Sequence, residues 1–262
     1  MGEIVYFILI GGFAGVLAGL LGVGGGLVIV PLLAIILDRH GFPAGEVMRV
    51  AVATSLGSIV LTSLSSAYAH HSRGAVHWPV VMRLGLGLAV GAFCASYLVG
   101  VLPEVLLRLF FVCFAVMAAY QLYSGIKPKA SRNLPGCYSL AGVGGLFGVF
   151  SGLIGIGGGT LVVPFLVWCN VGIRHAVATA SACGFFIGAP AACGFVFFVT
   201  PERALPEGSV GYLYLPALIS IGLMSMLMAP LGARLAHGMA TEKLKRLFAL
   251  VLVVMAALML VD

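Results

Sequence analysis

Charge is what this chain lacks most. Of its 262 residues only 8% are Asp, Glu, Lys or Arg, and the acidic ones number eight. So little charge leaves too few ionic groups for the hydrated surface of a soluble domain. Paired cysteines are lacking too. Cys94, Cys113, Cys137, Cys169, Cys183 and Cys193 show no CxxC spacing, which argues against zinc-ribbon and dithiol redox motifs. Falling mostly in apolar segments, they are expected to be small core residues. Met1 to Tyr6 carries only the acidic Glu3, not the basic start of a cleavable signal peptide, so the first apolar segment is expected to be retained. Loops longer than a dozen residues are almost absent, which leaves no room for a soluble domain.

What is there instead is hydrocarbon, with 61% of residues hydrophobic. Uncharged runs cover Ile4 to Leu37, Val50 to Ala69, Leu84 to Pro103, Leu109 to Ile126, Asn133 to Ile173, Ala176 to Pro201, Gly208 to Ala233 and Leu247 to Val261. Most approach the ~20 residues that a helix needs to cross a bilayer. The expected class is an all-α, multi-pass integral membrane protein with its function inside the lipid bilayer. The formal charge of +6 is then read as basic loops that hold orientation, with no nucleic-acid partner.

An internal repeat organises the chain. At an offset of 133, Gly15, Gly19, Gly22, Gly24, Gly25, Gly26 and Pro31 align with Gly148, Gly152, Gly155, Gly157, Gly158, Gly159 and Pro164. "AVAT" at Ala51 to Thr54 recurs at Ala176 to Thr179, and "RLF" at Arg108 to Phe110 recurs at Arg246 to Phe248, with Glu104 and Glu242 four positions before each arginine. The expected domains are a first transmembrane repeat over 1–126, a basic cytoplasmic linker over 127–137 and a second transmembrane repeat over 138–262.

Each half opens with a charge-free run too long for one crossing. Asn133 to Ile173 is 41 residues, about 60 Å as helix at ~1.5 Å per residue. Such a run must break or re-enter near its glycines. With three ordinary transmembrane helices after it, the odd count inverts the second half relative to the first. That arrangement collects Arg73, Lys127, Lys129, Arg132, Arg174, Arg234, Lys243, Lys245 and Arg246 on one side, as the positive-inside rule asks, and leaves mainly Arg39, Arg49 and Arg203 on the other.

Eight of the sixteen positions from Gly11 to Gly26 are glycine. Gly11, Gly15 and Gly19, and Gly144, Gly148 and Gly152, are spaced by four and read as faces for close helix contact. The triplets Gly24-Gly25-Gly26 and Gly157-Gly158-Gly159 are consecutive, which makes no face. They read as breaks that permit positive φ. Broken backbone at membrane depth needs partners from protein or a watery cavity. A half-helix restarting at each break would aim its amides, from Gly25, Gly26 and Leu27 and from Gly158, Gly159 and Thr160, at an anion.

The twin "GLLGVGGGLVIVPLL" and "GLIGIGGGTLVVPFL" motifs, each followed by an "AVAT" segment, resemble the TauE/SafE family, the sulfite exporter or four-toluene-sulfonate-uptake permeases, from about Ile4 to Leu260. The resemblance implies an inner-membrane permease for a small, often sulfur-containing anion such as sulfite, thiosulfate or a sulfonate. One departure is Thr179-Ala180-Ser181, where the first half has Thr54-Ser55 adjacent.

No acidic residue lies mid-membrane, which weighs against a carboxylate-centred proton relay or cation antiporter; protons that travel with the substrate stay possible as coupling ions. Arg83, Arg108 and Arg234 lie near helix ends and read as topological. Hydroxyls are the remaining polar supply: Thr54, Ser55, Ser58, Thr62, Ser63, Ser65 and Ser66, then Thr160, Thr179 and Ser181. The expected substrate site is Gly24, Gly25, Gly26, Thr54, Ser55, Gly157, Gly158, Gly159, Thr160, Thr179 and Ser181, with Arg49 and Arg174 attracting anions at the two mouths. His70, His71 and His77 around Arg73 read as a wet interfacial loop, anchored by Tyr68 and Trp78; without Cys or carboxylate companions they make no expected metal site. No cofactor is expected, and no nucleophile or acid and base pair is placed for intramembrane catalysis. The expected function is alternating-access transport of a small anion. A passive channel is the nearer alternative, a non-transport subunit the more distant one, and a homo-oligomer is left open.

Overall fold

Backbone amides at membrane depth have no water to bond to, so the chain satisfies them within helices. The structure, a computed structural model, describes residues 2–21, 24–124, 133–235 and 241–261. Among these lie ten helices: α1 (Gly2–Leu21), α2 (Gly26–Arg39), α3 (Val47–His71), α4 (Trp78–Val101), α5 (Glu104–Ser124), α6 (Cys137–Ile154), α7 (Gly159–Trp168), α8 (Ile173–Phe197), α9 (Leu215–Leu235) and α10 (Thr241–Val261). A two-stranded antiparallel ribbon, β1 (Ser209–Val210) and β2 (Leu213–Tyr214), precedes α9. Seven of the helices, α1, α3, α4, α5, α6, α8 and α9, are long and apolar enough to cross a membrane. This is an all-α, multi-pass membrane protein. Most of the expected basic linker lies outside the described residues, as do Gly22 and the side chains of Glu242, Lys243, Lys245 and Arg246.

Both glycine-rich runs break where their triplets stand. In the first, α1 stops at Leu21 and α2 restarts at Gly26; in the second, α6 stops at Ile154 and α7 restarts at Gly159. The restarted helices have 14 and 10 residues, about 21 and 15 Å at ~1.5 Å per residue, too short to cross alone. The backbone reverses differently in the two copies. Gly24 and Gly25 have φ of 76° and 78°, whereas the second copy places its left-handed residue at Gly155, φ 77°, ahead of its triplet. The first hairpin closes on itself, with His40 Nε2 beyond the end of α2 only 3.1 Å from Glu3 Oε1 at the start of α1.

Helices α3 and α8 form the centre and pack on each other; α5 and α10 pair at the edge. The long arm of each hairpin packs on the other half: α1 lies along α9, and α6 along α4. These principal pairings are unchanged when the two halves are exchanged. Glycine explains the closeness of both seams. A Cβ on Gly11 would lie 2.6 Å from the Ile221 carbonyl oxygen and one on Gly15 2.5 Å from that of Ser225; Gly144 and Gly148 abut the Leu84 and Leu88 carbonyls in the same way. Lipid supplies no hydrophobic drive between helices, so this backbone approach is where the packing attraction comes from. Along both seams the residue numbers rise together. Between α3 and α8 they run oppositely, Leu56 beside Gly188 and Ser63 beside Gly184.

Of the cysteines, only Cys169 and Cys183 are buried; Cys94, Cys113, Cys137 and Cys193 are exposed. The outward face of a membrane helix accepts a small apolar thiol as readily as the core does, so apolar surroundings in sequence did not separate the two. His70 also differs from its expected place in a wet loop. It belongs to the last turn of α3 and is 2% exposed, whereas His71 and His77 lie on the surface.

Candidate functional site

The two breaks meet. A Cβ on Gly24 would lie 2.9 Å from the Cα of Gly157, and one on Gly26 would overlap the carbonyl oxygen of Gly155. Backbone touches backbone there because neither triplet carries a side chain. The carbonyl that the second break frees is not left bare: Ser55 Oγ, on α3, donates to Gly155 O at 2.8 Å. At the first restart Gly25 is the N-cap of α2, its carbonyl accepting from the amides of Val28 and Ile29. At the second, Gly158 O accepts from Val162 N. In both short helices the first-turn amides and the positive end of the helix dipole lie at the tips.

Beside the tips is a small cavity with Gly24 and Gly158 in its wall and Thr62, Ser63, Ser66 and Ser181 as its polar lining. Its volume is ≈ 10 Å³, room for about one water. Neither a carboxylate nor a cation lines it. Ser63 Oγ donates to Val60 O, Ser181 Oγ to Val177 O, and Thr62 Oγ1 to Ser58 O while also touching Ser225 Oγ. Ser66 Oγ is buried with no hydrogen-bond partner, in a residue 2% exposed. Hydroxyls bonded to their own helix turn exchange that bond at small cost; an unpartnered one loses nothing by turning to a ligand. The lining offers hydroxyls, each a donor and an acceptor, and no charged side chain.

The expected site residues divide into two groups. Gly24, Gly158 and Ser181 stand at the cavity, and Gly25, Gly26, Gly157 and Gly159 build the tips around it. Thr160, in the first turn of α7, has a buried hydroxyl without a partner. Thr54, Ser55 and Thr179 hold the architecture. Thr54 Oγ1 accepts the backbone N–H of Tyr214 (3.0 Å), just before α9, and Thr179 Oγ1 that of His77 (3.2 Å), just before α4. Each repeated threonine therefore anchors the start of a long helix in the opposite half. Thr179→Val is expected to destabilise the protein by about 1–3 kcal/mol, since the His77 amide loses its acceptor. Thr179→Ser should stay near the parent, as read from unfolding midpoints in detergent.

Arg49 and Arg174 are not alike. Arg174 is exposed at the start of α8. Arg49 is buried, and its three nitrogens are engaged: Nη1 on Glu46 (3.0 Å), Nε on Val99 O (3.3 Å) and Nη2 on Leu102 O (3.1 Å). Glu46 is 2% exposed, and Tyr212 of the ribbon turn is buried against this pair. Burial and the neighbouring Glu46 carboxylate push the Tyr212 phenol well above its usual pKa, keeping it neutral. The cluster ties α3, the end of α4 and the ribbon together. At the opposite end the ties are lighter: His175 Nδ1 bonds Ala75 O (2.9 Å), the His77 and His175 rings sit 4.7 Å apart, and Arg73 reaches Ala233 O.

Among the described residues, carboxylates are confined to one end of the same axis, where Arg39, Arg49, Arg108 and Arg203 accompany them. The six carboxylates with described side chains, Glu3, Asp38, Glu46, Glu104, Glu202 and Glu207, lie at the end where α3 begins, while Arg73, Arg174 and Arg234 lie where it stops. Thr62, Ser63 and Ser66 were in the hydroxyl supply but outside the expected site. The signal that picks them out is their register on α3.

The family profile described as sulfite exporter TauE/SafE matches residues 7–259. A probable membrane transporter protein of Haemophilus influenzae is 35% identical over 255 residues, covering 97% of this chain and 96% of the relative. A probable membrane transporter protein of Methanocaldococcus jannaschii is 26% identical over 255 residues, covering 97% and 94%, and YunE of Bacillus subtilis, named in the same way, is 26% identical over 273 residues, covering 95% and 94%. No solved structure is a significant match.

Proposed function

The chain belongs to the TauE/SafE family, and from that premise we propose that it is a secondary transporter that carries a small, singly or doubly charged anion through the cavity between its glycine-rich tips. One observation carries the reading: two helix N-termini and an unpartnered buried hydroxyl, Ser66 Oγ, converge on a cavity that no charged side chain lines. Sulfur oxyanions, namely sulfite, thiosulfate or an organosulfonate, fit donors of that kind and accord with the family's description. The cavity holds about one water, so an oxyanion enters only when the tips part on one side. Rocking of one half against the other supplies that opening.

In this reading the repeats over 1–126 and 138–262 are inserted with opposite sense, which the opposed directions of α3 and α8 support. The end bearing Arg73, Arg174 and Arg234 faces the cytoplasm of a cell with an inner membrane. Protons are the coupling ion; sulfite takes up a proton near neutral pH, so with that substrate they ride on the cargo and need no carboxylate in the cavity lining. A passive channel is the second reading; the water-sized cavity, too small for a continuous pore, favours a carrier.

The test is uptake of radiolabelled sulfite, thiosulfate and methanesulfonate into proteoliposomes, with and without an imposed pH gradient. Saturable, gradient-dependent flux of at least one is expected. Linear, gradient-independent flux would establish the channel, and no flux above empty liposomes would remove the sulfur-anion reading.

A further inference from the structure

Five buried polar residues recur every fourth position along α3: Thr54, Ser58, Thr62, Ser66 and His70, each no more than 2% exposed. Residues four apart are neighbours on a helix, and each step turns the row by about 40°, so they form a continuous polar stripe that winds round α3 from near its start to its last turn. The stripe is linked along its first part by hydroxyl-to-carbonyl bonds, Ser58 Oγ to Thr54 O and Thr62 Oγ1 to Ser58 O. The cavity opens on its middle, at Thr62 and Ser66.

The "AVAT" register, 125 positions on, gives the matching face of α8: Thr179, Cys183, Ile187, Ala191 and Phe195. All five are fully buried, and all after the threonine are apolar. The halves therefore share an architecture and differ in chemistry. A polar stripe is costly to bury in a membrane protein core and is kept where polar cargo passes. The unpartnered Ser66 hydroxyl, aimed into the cavity, is the independent sign that this stripe serves a ligand and not only its own helix.

We propose that the anion passes between the cavity and the membrane face at the carboxy-terminal end of α3 along this stripe, over Ser66 and then His70, with no polar counterpart leading from the cavity toward the opposite face along the carboxy-terminal half of α8. The inference rests on the reading of the cavity as an anion site. Thr62 and Ser66 bring hydroxyls and His70 an imidazole, so polar groups follow one another at a turn's spacing. His70 is the last buried polar residue of the stripe before the exposed loop of Ser72 and Arg73. It is the group that the anion meets first from that side.

The test is site-resolved labelling with the anionic thiol reagent 2-sulfonatoethyl methanethiosulfonate. Variants carrying Ser66→Cys, His70→Cys, Ala191→Cys or Phe195→Cys, with the exposed Ser72→Cys as reference, are labelled in inside-out and right-side-out vesicles and read by peptide mass. Ser66→Cys and His70→Cys are expected to react only from the side that labels Ser72→Cys, and at least about tenfold faster than the α8 positions, because the reactive thiolate forms only where water reaches. Equal labelling at Ala191→Cys and Phe195→Cys would overturn the one-sided track. So would silence at both α3 positions while Ser72→Cys reacts. Ser66→Cys changes one atom, so it stays informative if His70→Cys folds poorly. Labelling does not depend on flux: a carrier using another route shows flux without the track, and a protein that carries none of the three anions still reveals whether the track is wet.

Discussion

Gly26→Ala should lower anion flux by at least about tenfold while leaving the protein inserted in the membrane, the effect of roughly 1–3 kcal/mol of overpacking placed where two backbones touch. A Cβ there would overlap the Gly155 carbonyl oxygen and lie 2.8 Å from Ile156 Cα. Side chains can rotate away from an added methyl. These backbone atoms cannot, because Ser55 holds that same carbonyl. Gly26 has ordinary helical backbone, so the substitution introduces no conformational strain and reads the contact between the tips alone. Gly41→Ala supplies the converse: φ there is 75° and nothing lies within 4 Å of a Cβ. It should cost about 1–2 kcal/mol of stability through left-handed strain and leave flux intact. Flux in proteoliposomes and unfolding midpoints in detergent give both readings. Parent-like flux from Gly26→Ala would take the tip contact out of the transport cycle.

Arg49→Met is expected to have the largest effect on stability, about 3–5 kcal/mol, because it strands the Glu46 carboxylate at 2% exposure and strips donors from the Val99 and Leu102 carbonyls. Adding Glu46→Gln should recover a substantial part, since the uncompensated buried charge is then gone. The pair sits where α3, α4 and the ribbon before α9 join, and its loss loosens the attachment of Tyr212 as well. An arginine that merely attracted anions at a mouth would behave otherwise, raising KM with an unchanged unfolding midpoint. Denaturation of the two variants alongside KM measurements separates the two roles.

The fold was legible because its causes are local. Runs of apolar residues set the helices, and consecutive glycines set the breaks. Glycines spaced by four marked the seams of α1 with α9 and α6 with α4, although nothing in their spacing named the partner helix. The ribbon of Ser209 to Tyr214 was not legible, since two-residue strands carry no periodic signal.

The site was harder, for a reason that Thr54 and Thr179 make plain. They stood out because they repeat, and they repeat because both halves need the same anchor for a backbone amide. Repetition marks what the halves share structurally. The polar stripe of α3 has no counterpart in α8, so no repeated motif marks Ser66. Arg49 was misplaced for a related reason: a basic residue before a membrane segment looks the same in sequence whether it is exposed, as Arg174 is, or locked on Glu46.

The exchange of partners between halves also governs how the molecule is made. The glycine face of α1 is synthesised before the helix it lies along, α9, which follows almost 200 residues later. At ~5–20 residues per second, that is about 10–40 seconds of synthesis. Throughout that interval α1 holds a groove shaped for a neighbour that does not yet exist, with only lipid or the insertion machinery to occupy it. Assembly is therefore completed from the carboxy-terminal half backwards. Ribosome stalling anywhere before Leu215 leaves α1 without the helix that its glycine face is shaped for.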